Sequence, residues 1–138
     1  MGMSTPQNTP DPKLCADVFS SLCTSRGALQ HLTGRWGSLA MVALLEADSP
    51  MRFAELRRKI DGISDRMLSQ TLGQLERDGM VNRAVRSSIP PHVDYSLTEL
   101  GIKVARPLQE LTKIIESELD SIIAAQERFD ASDECDIN

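Results

Sequence analysis

A mainly α-helical fold with one small β-hairpin is what this 138-residue sequence predicts. Three observations carry the prediction. Apolar residues recur at helical spacing through most of the chain. One stretch, SSIPPHVDYSL at 87–97, switches to a period of two. The last periodic segment is longer than a domain of this size can cover, so its apolar stripe needs a partner. Composition agrees, since aromatics make up only 4% and the apolar content is mostly aliphatic.

Each element follows in order. Residues 1–12 hold Pro6, Pro10 and Pro12 among polar residues and are expected to form a mobile tail. Residues 13–126 are expected to form one domain, large enough for its own core. Residues 13–32 suit one or two short helices, with Arg26–Gly27 as a break. After Gly34, Trp36, Leu39, Ala40, Ala43 and Leu44 fall at helical spacing, and Met41, Val42 and Leu45 widen the stripe. This predicts a largely buried helix over 35–47, ended by Asp48, Ser49 and Pro50. Met51–Arg52 suits a short edge strand.

Phe53, Leu56 and Ile60 then mark a helix whose basic residues Arg57, Arg58 and Lys59 lie off the apolar face. Asp61–Gly62 is a turn signal. Ser64 is a good N-cap, with Asp65 in the first turn where the helix dipole favours an anion. The next helix, 65–78, buries Leu68, Leu72 and Leu75, and Gly79 closes it. Met80 to Arg86 reads as a strand. Pro90 and Pro91 stiffen the loop after it, because each fixes φ and neither donates a backbone hydrogen bond. Val93, Tyr95 and Leu97 form the return strand, and Thr98 caps a helix over 98–126.

In that helix Leu100, Val104, Leu108, Leu111, Ile115, Leu119 and Ile122 follow steps of four and three, with Ile114 and Ile123 beside them and Pro107 as a kink site. Leu108, Leu111, Ile115, Leu119 and Ile122 are the expected dimer interface. Residues 127–138 are acidic and aperiodic and are expected to be a disordered tail. Helix, turn, helix and hairpin on a three-helix core, with a long C-terminal dimerisation helix, outline a winged helix-turn-helix.

Charge is unevenly spread. The net charge is −5, yet residues 52–86 carry eight basic and five acidic side chains, while residues 108–138 carry two basic and nine acidic. A basic middle suits a phosphate-facing surface, because it is the local field that a polyanion meets. In a helix-turn-helix the second helix enters the major groove. With Leu68, Leu72 and Leu75 inward, Arg66, Ser69, Gln70, Gly73 and Arg77 face out, with Gln74 close by. Arginine pairs with guanine, glutamine with adenine and serine with either. Arg66, Ser69, Gln70, Gln74 and Arg77 are therefore the candidate base readers. Arg35, Arg52, Arg57, Arg58 and Lys59 are candidate phosphate contacts, and Arg83, Arg86, Ser87, Ser88 and His92 would lie on or near the wing. Such contacts position a protein and carry no sequence information.

Other classes are disfavoured. The longest apolar run, Leu39–Leu45, is far too short for a membrane span. The opening MGMSTP has neither signal-peptide regions nor the myristoylation pattern, so a cytoplasmic location is expected. Three cysteines (Cys15, Cys23, Cys135) and two histidines (His31, His92) form no zinc motif, and no metal or cofactor is expected. No nucleophile–base pair, carboxylate pair or phosphate-cradling glycine loop suggests an enzyme.

Four segments together carry a resemblance: Cys23 followed by GRW at 34–36, RFAELRRKIDGIS at 52–64, LSQTLGQLERDGMVNR at 68–83 and PPHVDYSLTELG at 90–101. In them the chain resembles the HxlR-type winged helix-turn-helix transcriptional regulators of bacteria and archaea, over about residues 23–112. The resemblance implies a homodimer built through N- and C-terminal helices that presents two reading helices to a pseudopalindromic double-stranded DNA operator. It also implies that Cys23 occupies the position of a thiol switch for electrophiles or oxidants, although Thr24 stands where that family usually has proline, and TGRW where GGKW is common. A reactive thiol needs a depressed pKa, for which a helix start at 24–26 and Arg26 are available. A reduced, partly buried cysteine is the plain alternative, and Cys15 is a candidate partner. The expected function is a dimeric, sequence-specific repressor responsive to a small electrophile or oxidant. The alternative is a winged-helix protein-interaction module without DNA binding, whose association would be insensitive to salt.

Overall fold

The computed structural model describes residues 16–137. Six helices and three strands follow in the order α1 (Thr24–Thr33), α2 (Gly37–Glu46), β1 (Met51–Arg52), α3 (Phe53–Lys59), α4 (Asp65–Arg77), β2 (Val81–Arg86), β3 (His92–Leu97), α5 (Glu99–Ser117) and α6 (Leu119–Ile137). The mainly α class with a small antiparallel sheet, expected from the periodicities, is what the structure has.

α2 is the central helix because its sequence is apolar on nearly every side. Ala40, Met41, Val42, Ala43 and Leu44 are all buried. Around it pack Leu56 from α3, Leu68, Leu72 and Leu75 from α4, Val81 and Tyr95 from the hairpin, and Ala105 from α5. The three strands are ordered β1-β3-β2, all antiparallel. β1 is the edge strand expected at Met51–Arg52, pairing Met51 with Tyr95 and Arg52 with Asp94. The hairpin runs from the Val81–Leu97 pair to the Arg86–His92 pair, leaving residues 87–91 as the wing tip. The Ile89–Pro90 peptide in that tip is cis.

α4 is locked at its C-terminal end. Gly79 has φ +80°, which a glycine adopts without a Cβ penalty. Its N–H reaches Glu76 O at 3.0 Å, and that of Met80 reaches Leu75 O at 2.9 Å, closing the helix in a Schellman motif. Thr98 then ties three elements together. Its hydroxyl donates to Gly79 O at 2.6 Å and accepts from Gly101 N at 2.9 Å, capping α5. α5 sits so close to this junction that a Cβ on Gly101 would overlap the carbonyl oxygen of Met80. β3, α4 and α5 are thus one rigid corner.

Three expectations need correction. α1 runs unbroken through Arg26–Gly27, where open space around Gly27 imposes no turn. The expected helix over 98–126 is two abutting helices. At Glu118 the backbone leaves helical values (φ −102°, ψ 17°), although Glu118 N still reaches Ile114 O at 2.9 Å. Pro107 does not end α5, which continues across it. Third, α6 extends to Ile137 through the segment 127–138 expected to be disordered. Ala124, Ala125, Gln126, Glu127 and Arg128 are strong helix formers, so α6 needs no apolar stripe to run through them. The mobile tail expected at 1–12 lies outside the described residues.

Candidate nucleic-acid interface

Burial of Leu68, Thr71, Leu72 and Leu75 fixes the rotation of α4. It leaves Arg66, Ser69, Gln70, Gly73 and Arg77 exposed and Gln74 half-buried, as the helical spacing predicts. Ser64 caps the helix by accepting from Met67 N at 3.1 Å. The amino-terminal part of the helix, carrying Arg66, Ser69 and Gln70, is therefore well anchored. Gly73 meets no atom that a Cβ would touch, so it is an open spot on this outer face.

Counter-ions sort the basic residues. Arg57 is paired with Asp65 across the helix-turn-helix. On the wing, Arg86 Nε lies 3.0 Å from Asp94 Oδ2, His92 Nε2 lies 3.4 Å from Asp94 Oδ1, and Ser88 Oγ lies 3.1 Å from His92 Nδ1. This chain of contacts braces the hairpin rather than leaving Arg86 and His92 loose. Ser87 and Ser88 are exposed at the tip. Arg52, Arg58, Arg66 and Arg83 are exposed and make no ion pair among the described residues. Arg35 packs its guanidinium 4.7 Å from the centroid of the Trp36 ring.

Two candidates fall elsewhere. Lys59 lines a cleft on the α2–α5 side, with three carboxylates around it, Glu46 from α2, Asp61 from the turn after α3 and Glu116 from α5. Arg77, at the far end of α4, lines the cleft beside Cys23. Base-edge contacts come mainly from the first turns of a reading helix, so Arg77 stands apart from Arg66, Ser69 and Gln70. The sequence could not separate these two, because helical spacing gives direction around an axis but not what the neighbouring helices bring up to it.

Cys23 is the N-cap of α1, 4% exposed, with Sγ 2.9 Å from Ser25 Oγ. The Ser25 hydroxyl is the main influence holding the thiol below the usual cysteine pKa. Backbone hydrogen bonds from Asp17 and Ser25 act in the same direction, while burial and the Asp17 charge oppose them. Arg26, the cation expected to do this, is not among the causes. Ser25 was not singled out in the sequence, although a hydroxyl two residues after a helix-capping thiol is a readable signal. A lowered pKa means more thiolate at a given pH. Alkylation of Cys23 by iodoacetamide should therefore reach its half-maximal rate at a lower pH than an ordinary cysteine, and Ser25→Ala should move that midpoint upward. An unmoved midpoint in Ser25→Ala would show that the hydroxyl is not the cause. Cys15 lies outside the described residues.

A second contact absent from the sequence reading joins α1 to α4. His31 Nδ1 and Asp78 Oδ2, 47 positions apart, are 2.6 Å apart and part-buried. It links the helix that Cys23 caps to the C-cap of α4.

On α5 and α6 the expected interface residues form an open stripe. Leu111, Ile115 and Leu119 are each 46–50% exposed, Leu108 and Ile122 are half-buried, and Ile114 and Ile123 are exposed beside them. Among the described residues no group of three or more His, Cys, Asp or Glu side chains could hold a metal, and no helix is long and apolar enough to cross a membrane.

A capped second helix with an outward polar face, a braced two-strand wing and a long trailing helix pair define the winged helix-turn-helix class. Residues 31–122 match the family model described as HxlR-like helix-turn-helix, and the chain belongs to that family of transcriptional regulators. It is 45% identical over 111 residues to YtfH of Escherichia coli strain K12, an uncharacterised HTH-type transcriptional regulator, covering 80% of this chain and 86% of that one. Among solved structures it superposes on the transcriptional regulator ytfH of Salmonella typhimurium with a TM-score of 0.74 at 45% identity, covering 80% of this chain and 97% of that one. The reduced form of the redox regulator HypR matches with a TM-score of 0.64 at 33% identity, over 72% of this chain and 96% of that one.

Proposed function

We propose that the protein is a homodimeric repressor that reads a pseudopalindromic operator in double-stranded DNA and releases it when Cys23 reacts with an oxidant or electrophile. The observation that carries this reading is the outer face of α4. Arg66, Ser69 and Gln70 stand exposed together near a capped helix start, while the opposite face is buried in the core. The unpaired cations Arg52, Arg58 and Arg83 supply the sequence-independent attraction to phosphates, with Arg35 beside Trp36. The lowered pKa of Cys23 and the likeness to a structure titled as a redox regulator support the switch. The reading contains no catalytic step, and its place of action is the cytoplasm.

Substitution of two residues tests the face assignment. Gln70→Ala should lose about 1–3 kcal/mol at the operator and relax discrimination at one base position in each half-site. Arg58→Ala should weaken operator and unrelated DNA by the same factor and flatten the salt dependence. Full discrimination retained in Gln70→Ala would mean that another face of the protein reads the bases.

A further inference from the structure

Between the start of α2 and the flank of α4 lies a groove of about 550 Å³. That is the size of a small-ligand pocket. Its walls have a consistent chemistry. Trp36 and Met67 are the apolar sides, and Gln30, Gln70 and Gln74 bring amide groups to it. Arg35 is the cation, held over the face of the Trp36 ring. No carboxylate is among the lining residues. His31, which also lines it, is bonded to Asp78.

A second observation points to a ligand. Thr71 lines the groove and is only 7% exposed, yet its hydroxyl makes no hydrogen bond to any described residue. Helical threonines elsewhere in this chain donate to a carbonyl one turn back, as Thr33 does to Leu29 O at 2.8 Å and Thr112 to Gln109 O at 2.7 Å. Among the described residues no buried side-chain oxygen or nitrogen lacks a partner, so the Thr71 hydroxyl opens onto the groove, where an occupant can meet it.

Apolar walls with an aromatic edge, one cation, several neutral donors and no acid suit a small planar anion. We propose that this groove is an effector site for a small aromatic carboxylate. The carboxylate would meet Arg35, and the ring would lie along Trp36 and Met67. Resting on the DNA-binding reading above, the inference adds the class of a second signal. Arg35, Gln70 and Gln74 serve both the groove and the DNA-facing surface, so occupant and operator compete for them.

Trp36 is the chain's single tryptophan, so its fluorescence reports from the groove wall. The full chain is titrated with benzoate, with benzylamine and acetate as controls for charge and for the ring. A saturable change is expected with benzoate at concentrations where neither control gives one. Arg35→Gln and Met67→Glu, which alter opposite walls, should each weaken benzoate binding about tenfold or more. No saturable change, an equal response to benzylamine, or unaltered affinity in both variants would overturn the site. Saturating benzoate should also weaken operator binding by the unsubstituted chain. Benzoate binding with operator affinity untouched would overturn the competition. Benzoate binding by a chain that binds no operator would reject the DNA reading while upholding the groove as a ligand site.

Discussion

Leu68→Ala lowers the free energy of unfolding by about 2–5 kcal/mol. The side chain is fully buried in the first turn of α4, among residues of the main core. Truncation removes its transfer free energy and leaves a cavity in a closely packed core. Chemical denaturation of the two proteins measures the loss directly. The consequence for function is specific. Leu68 is one of the residues that set the rotation of α4, so DNA discrimination should suffer even at temperatures where the variant stays folded. A loss below about 1 kcal/mol would mean that the site repacks freely and that α4 is not held as described.

The second large effect concerns assembly. The double substitution Ile115→Glu with Leu119→Glu converts the proposed dimer to a monomer, seen as a halved mass by light scattering. Both side chains are about half exposed on the single chain, so the change should cost the isolated fold little. Charges placed there face each other across a helix pair and are expensive to bury without partners. Operator affinity should fall by roughly 10²–10⁴-fold, because the second half-site contact is no longer delivered at high effective concentration. A variant that stays dimeric would place the interface elsewhere, for instance on the exposed Val18, Phe19, Leu22 and Leu29 at the amino-terminal side.

The elements that periodicity controls were the legible ones. Leu68, Leu72 and Leu75 define one face so cleanly that the outward set on α4 follows from spacing alone, and Ser64 and Gly79 mark its ends by their own chemistry. The switch to a period of two at Val93, Tyr95 and Leu97 gave the hairpin, and the brief Met51–Arg52 strand follows from its place before Phe53. What escaped depends on tertiary neighbours. Nothing local tells that Asp65 neutralises Arg57, that Asp94 collects both Arg86 and His92, or that Lys59 shares a cleft with Glu116 of a distant helix. The His31–Asp78 contact spans 47 residues and carries no sequence motif. The groove beside Trp36 is the same kind of feature, since its walls come from α1, the start of α2 and α4. The acidic end of the chain was misread for the opposite reason. Absence of an apolar stripe does not exclude helix, and α6 runs to Ile137.

The central claim is that the outward face of α4 reads DNA. It is tested most directly by fluorescence anisotropy of the reduced protein on the DNA immediately upstream of its own gene, beside an unrelated duplex of equal length, across a salt series. The account predicts preferential binding to the upstream DNA. With six to ten phosphate contacts, affinity falls by about 10³–10⁵-fold between roughly 50 and 200 mM salt. Equal affinity for both duplexes, even after selection from random sequences, or association that ignores salt, would contradict it and favour a protein-binding role for the same fold.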